Sequence, residues 1–200
     1  MEKWIHKKVN QKIEQGKIPE SERDLYVYGY TLVAEKLVIF LVTMFIAIVF
    51  NALLEVLLLC ITFVPLREYT GGYHANSRIG CNLLSAIYII VALLGIKYLP
   101  MVIHISQYIL GEFVCAAIIF RYAPVAKDKR EISESESRFF RKMTLSILAI
   151  ELILGIIFSI LKNYYVMSIM LVTHMGVAAA LLGEMIKKGR YFNEKCKKVQ

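Results

Sequence analysis

The stretch TLVAEKLVIFLVTMFIAIVFNALLEVLLLCITFVPL, Thr31 to Leu66, decides the fold. It holds 36 residues and is apolar almost throughout. As one helix it would be about 54 Å long, against about 30 Å of bilayer hydrocarbon. A fold-back near Asn51 is therefore predicted, giving two short spans. Pro65 is predicted to end the second.

The same pattern continues outward from this stretch. Apolar runs cover Cys81 to Ile96, Leu99 to Phe120, Met143 to Leu161 and Tyr164 to Met185. The total is about six spans, and the predicted fold is an all-α, polytopic transmembrane helix bundle. The chain is 58% hydrophobic and 20% charged, with mean hydropathy +0.56, well above a soluble domain. It has room for a single integral membrane domain over residues 1–200. That domain divides into an interfacial segment at 1–30, the bundle at 31–186 and a basic tail at 187–200. The first apolar run starts too late for a cleavable signal peptide, so the apolar segments are expected to persist.

The charges orient the bundle. Met1–Tyr30, Arg67–Arg78, Arg121–Lys142 and Lys187–Gln200 together hold 21 of the 24 Lys and Arg residues. With six spans these four segments share one side. By the positive-inside rule that side is cytoplasmic, with both termini there. Lys97 and Lys162 fall in short outer connections. In the first segment, Trp4, Ile5, Val9 and Ile13 form one helical stripe. Lys7, Lys8, Gln11 and Lys12 lie off it, which suits a helix lying on anionic membrane lipids. Gly16 and Pro19 interrupt that helix. The net charge of +8 needs no nucleic acid to explain it.

The second basic segment reads Arg67-Glu-Tyr-Thr-Gly-Gly-Tyr-His-Ala-Asn-Ser-Arg-Ile-Gly-Cys81. It is more polar than a hairpin connection requires. A cysteine nucleophile needs a base to form thiolate, and histidine is the usual one. On one straight helix His74 and Cys81 would share a face but lie about 10.5 Å apart. Direct proton transfer spans about 3 Å, so His74 must leave the helix. Gly71 and Gly72 permit the bend, and Asn76 or Ser77 can cap a new helix. Cys81 then sits near a helix N-terminus, whose dipole favours thiolate. From spacing alone, a structural role for the pair is also open. Arg67 and Arg78 read equally as interfacial anchors.

Cys60 and Cys115 lie in apolar runs and read as small buried hydrophobes; Cys196 lies in the basic tail. No CxxC motif occurs, and two soft ligands do not make a zinc site, so no metal or cofactor is expected. Glu55, His104, Glu112, Glu151 and His174 stand at membrane depth. They could pair with one another or line a path.

The pattern Arg-x-x-x-Gly-Gly-Tyr-His-Ala-x-Ser-Arg-x-x-Cys resembles the signature of the accessory gene regulator B (AgrB) family. These are bacterial membrane cysteine endopeptidases that process precursors of cyclic quorum-sensing peptides. Arg121-Tyr-Ala-Pro124, followed by Lys127, Lys129 and Arg130, is similar to the family's Tyr-Ala-Pro loop and basic run. Glu131 stands where the family often has proline.

The resemblance implies that Cys81 is the nucleophile and His74 the general base, in a dimeric protein of the cell membrane. The precursor's C-terminal tail leaves, and a Cys81 thioester is resolved by ring closure to a lactone or thiolactone. Arg67, Gly71, Gly72, Arg78, Lys127, Lys129 and Arg130 would bind substrate or support the site. Glu68, Asn76, Ser77 and Gln107 are candidates for orienting His74. The competing reading is a small transporter or channel for a peptide or ion, with Glu55 and Glu151 in its path and no need of Cys81.

Overall fold

A computed structural model describes residues 2–73, 75, 77–102, 104–125 and 133–198. The elements in chain order are α1 (Glu2–Glu14), a 3-10 turn (Glu20–Glu22), α2 (Arg23–Val49) and α3 (Leu53–Thr70). They are followed by α4 (Arg78–Val102), α5 (Ile105–Tyr122), α6 (Glu134–Ile160) and α7 (Tyr164–Lys198). The chain divides into two compact units, Met1–Ile46 and Ala47–Gln200.

In the first unit, α1 ends where its sequence says it should. Gly16 takes φ +67°, its N–H donates to the Ile13 carbonyl, and the Lys17 N–H reaches back to Lys12. This is the Schellman closure that glycine favours. Ile5 and Val9 are buried, but Trp4 is 63% exposed, so the expected four-residue stripe is split. Arg23 Nε donates to Asn10 Oδ1 at 3.0 Å, and the Lys12 ammonium donates to the Tyr30 hydroxyl.

The second unit contains the bundle. Asn51 breaks the long apolar stretch as expected. It sits at φ +50°, and the Asn51 and Ala52 N–H groups close onto the carbonyls of Ile48 and Ala47. Asparagine tolerates this left-handed conformation better than most residues. Lys162 makes the same closure between α6 and α7 at φ +54°.

Five helices are long and apolar enough to cross a membrane: Glu20–Val49, Ile79–Val102, Ile105–Tyr122, Glu134–Ile160 and Tyr164–Gly189. Their outward side chains are apolar yet exposed, among them Val91, Phe113 and Ile156. A surface of that kind is covered by lipid, not water. The chain is therefore a multi-pass, all-α membrane protein.

α3, the sixth expected span, carries Glu55, Arg67 and Glu68 in 18 residues and so is not among these five by composition, but it packs against α6 and α7 inside the bundle. Two expectations need correction, the first about α3. Pro65 does not end it. The helix runs five residues further to Thr70, and Leu66 and Thr70 are fully buried. Burial of that turn outweighs a missing hydrogen bond. Lys97 lies in no connection, because α4 continues through it and through Pro100 to Val102. A lone lysine near a helix end reaches water along its own stem.

The core forms around α7, which packs against α3, α4, α5 and α6. In its most apolar stretch 61% is buried, against 17–22% in the other four spans. Leu66, Ile119, Leu148, Val177 and Leu181 form one cluster; Leu59, Ala92 and Val172 form another. Gly176 lets α4 approach, since a Cβ there would lie 2.4 Å from the Tyr88 ring. The rigid, buried α7 provides the wall on which the polar loop after α3 is built.

Candidate functional site

The loop between α3 and α4 is where the sequence placed the chemistry. Thr70 ends α3, and the backbone turns at Gly71 (φ +68°) and Gly72 (φ +117°). Both glycines are required by space as well as by φ. A Cβ on Gly71 would fall 2.1 Å from the Val125 carbonyl oxygen, and one on Gly72 would fall 3.0 Å from the Ala180 backbone. The loop is thus held between two segments distant in sequence. On one side Gly71 forms a parallel bridge with Val125, whose N–H donates to the Thr70 carbonyl at 2.9 Å. On the other the Tyr73 N–H donates to the Ala180 carbonyl of α7 at 2.7 Å. The Arg121–Pro124 stretch, read from sequence only as a similarity, therefore leads directly into the strut that supports the glycine turn.

Arg67 completes the loop from within. It projects from the last turn of α3, and its guanidinium donates to the Gly71 carbonyl and, at 2.8 Å, to the Tyr73 carbonyl. The Gly71 carbonyl also accepts from the Thr70 hydroxyl at 3.3 Å. A planar fork of donors suits two adjacent acceptors, which a lysine could not serve equally. Arg67 lies outside the five apolar spans. Burial pushes its pKa below the ordinary arginine value, opposed by Cys81 first, then Glu184 and Glu68. The guanidinium is thus within electrostatic reach of Cys81.

The second half of the segment restarts the helix. The Gly80 N–H donates to Ser77 Oγ at 3.0 Å, so Ser77 caps α4, as one of the two expected caps. The Cys81 N–H donates to the Ser77 carbonyl at 3.0 Å, which places Cys81 in the first turn. Cys81 is half-buried and belongs to no disulfide. No continuous helix joins Gly72 to Cys81, because Gly72, Tyr73 and Ala75 are non-helical and α4 opens at Arg78.

The other sequence candidates are distributed as follows. His74, Asn76, Lys127, Lys129 and Arg130 lie outside the described residues, as does the Arg78 side chain. Gln107 is remote in role: its Oε1 accepts the His104 N–H at 2.9 Å, capping α5. Cys60 and Cys115 sit within the bundle and form no disulfide. Glu151 and Glu112 pair with His174, whereas Glu55 hydrogen-bonds Tyr165. Among the described residues no three His, Cys, Asp or Glu side chains are arranged to hold a metal ion.

One residue was missed from sequence. Glu184 on α7 is only 2% exposed and lies within electrostatic reach of Arg67. It stands one turn beyond Ala180, and Gly183 beside it backs the Tyr73 ring. Its only sequence signal was an acidic side chain in an otherwise apolar turn, 103 residues after Cys81. Farther out, Arg138, Arg141 and Lys142 line an open depression of about 520 Å³ on α6 together with Leu145, Ser146 and Ala149. Arg141 donates to the Ala123 carbonyl at 3.2 Å, tying this surface to the same strut.

The accessory gene regulator B family model matches residues 3–180. An AgrB-like protein of Clostridium perfringens strain SM101 is 30% identical over 191 residues, covering 87% of this chain and 86% of that protein. AgrB-like protein 2 of Clostridium perfringens strain 13 is 30% identical over 172 residues, covering 80% and 78%. Accessory gene regulator protein B of Staphylococcus intermedius is 34% identical over 95 residues, covering 46% and 48%. No solved structure matches. With the glycine turn and the capped cysteine in place, the match over nearly the whole chain has one reading: the chain belongs to the accessory gene regulator B family, membrane proteins of quorum-sensing signal processing.

Proposed function

We propose that this protein is a membrane cysteine endopeptidase that removes the C-terminal tail of an autoinducing-peptide precursor. The observation that carries this reading is the placement of Cys81. It lies in the first turn of α4, behind a glycine turn clamped by Arg67, with the guanidinium in electrostatic reach. A helix N-terminus and a nearby guanidinium flank the sulfur that the reading makes the nucleophile.

In this mechanism His74 takes the Cys81 proton and Sγ attacks the scissile carbonyl. The C–N bond breaks, the leaving amine takes the proton back from His74, and the tail departs. The precursor's remaining portion stays on Cys81 as a thioester. A thiol or hydroxyl of the bound peptide then attacks that carbonyl, closing the ring and releasing Cys81. The thioester preserves acyl-transfer potential, so no nucleotide is consumed. Exclusion of water favours ring closure over hydrolysis.

Arg67 is a positioning residue here: its donors serve the loop's own carbonyls, not a substrate. An acidic precursor tail would be held by Lys127, Lys129 and Arg130 together with the basic side chains Arg138, Arg141 and Lys142. With α3 counted as a sixth crossing, the positive-inside rule favours this face, both termini and the site on the cytoplasmic side.

The test is processing by purified protein in lipid, read by mass spectrometry against a candidate precursor. The parent is expected to release the tail, as are Cys60→Ala, Cys115→Ala and Cys196→Ala. Cys81→Ala is expected to insert normally and release none. Tail release by Cys81→Ala at the parent rate would sink the reading.

A further inference from the structure

Three ionisable side chains outside the proposed site meet in the bundle interior. His174 on α7 is 1% exposed. Its Nδ1 lies 2.5 Å from Glu112 Oε2 on α5, and its Nε2 lies 3.0 Å from Glu151 Oε2 on α6. All three residues fall within membrane-crossing stretches.

The protons can be counted from this geometry. Each nitrogen–oxygen contact holds one proton, whichever atom carries it. Two contacts therefore hold two protons. A ring stripped of both protons and two carboxylates carry three negative charges, so the two protons leave one. This holds whether the histidine is an imidazolium or one of the two glutamates is a carboxylic acid.

A net charge at that depth is costly unless something neutralises it. No Lys or Arg at this depth of α3 to α7 does. There is no Lys or Arg in 53–66 of α3, 79–96 of α4, 105–120 of α5, 143–160 of α6 or 164–186 of α7. Among the described residues of α3 to α5, the groups beside the cluster are neutral or acidic. α5 adds Cys115, within electrostatic reach of Glu112. α3 brings the Thr62 hydroxyl to Thr173 at 2.8 Å, and α4 brings the Tyr88 hydroxyl to the Val172 carbonyl at 3.3 Å. Glu112 is the most open member, its side chain 21% exposed against 8% for Glu151.

We propose that the His174–Glu112–Glu151 cluster is a proton-binding site inside the membrane bundle, holding three protons. The third proton makes the cluster neutral. Its loss leaves a negative charge among the three helices that the same hydrogen bonds hold together. The site therefore couples the acidity of the medium to the packing of α5, α6 and α7, independently of the chemistry at Cys81.

Infrared difference spectroscopy of the full chain in lipid nanodiscs tests this. A protonated carboxyl has a C=O stretch separate from that of a carboxylate and shifts in heavy water. The parent at neutral pH is expected to show such a band, and Glu112→Gln is expected to lack it. Raising the pH should remove the band, and exchanging sodium for choline should not move that transition. A spectrum in which parent and Glu112→Gln share the same carboxyl bands would overturn the proposal. So would a transition that follows sodium, which would make a metal cation the occupant. If Glu112→Gln does not insert, Glu112→Asp keeps the acid and must shift the band; an unshifted band would equally overturn it.

Discussion

Around Cys81 the polar side chains serve the backbone, whereas around His174 they serve one another. Arg67 donates to the carbonyls of Gly71 and Tyr73, and Ser77 accepts from the Gly80 N–H. His174 instead bonds two carboxylates on two other helices. The two regions share α7 as their wall. The difference teaches what each is built to tolerate. A loop whose side chains are occupied with its own backbone holds a fixed shape beside a nucleophile. A side-chain network in the core fixes helices to one another and contributes nothing to that shape. Substitutions in the first region should therefore change rate, and substitutions in the second should change stability.

The largest effect is expected from the core. His174→Leu leaves two carboxylates facing an apolar side chain, and breaking a buried pair in this way costs about 3–5 kcal/mol. The thermal midpoint in nanodiscs should fall sharply, while tail release per folded molecule stays near the parent value. An unchanged midpoint would break the comparison at its core end.

The glycine turn comes next. Gly71→Ala combines a positive φ with a Cβ placed 2.1 Å from backbone, and a loss on the order of 3 kcal/mol is expected. Gly16→Ala is the control. It has a similar φ of +67° but nothing within 4 Å of the new Cβ, so only about 1 kcal/mol of conformational cost applies. Tail release should fall severely in the first variant and little in the second. Equal effects would show that space around Gly71 is not what matters.

A smaller effect is expected for Arg67→Lys, which keeps the charge and loses the fork. One of two hydrogen bonds to the loop goes, worth about 1–2 kcal/mol, or roughly a five- to thirtyfold slower reaction. Arg67→Ala should be slower still. Kinetics on folded protein, with the midpoint measured alongside, separate this from general unfolding. Arg67→Lys at the parent rate would show that charge alone suffices and that the clamp geometry is dispensable.

Much of the fold could be read from the apolar runs and Asn51. An asparagine in a 36-residue apolar run is a residue able to take the left-handed cap, and it does. Ser77 was legible for the same local reason: a hydroxyl three residues before Gly80. Pro65 was misread because its local cost, about 3 kcal/mol in a helix interior, was set against no knowledge of what Leu66 and Thr70 bury. Val125, Ala180 and Glu184 were out of reach. Val125 and Ala180 act through contacts to the glycine turn and Glu184 through its electrostatic reach to Arg67, each across more than fifty residues of chain, and no periodicity or spacing records such a link.

The most direct test of the account is to trap the acyl-enzyme. Parent protein in lipid would be mixed briefly with a precursor whose ring-closing nucleophile is replaced by alanine, then quenched in acid and measured as intact mass. The account predicts added mass equal to the precursor less its C-terminal tail, localised to Cys81 and released by hydroxylamine as a thioester must be. Tail release with no adduct at Cys81, or the same adduct in Cys81→Ala, would contradict it.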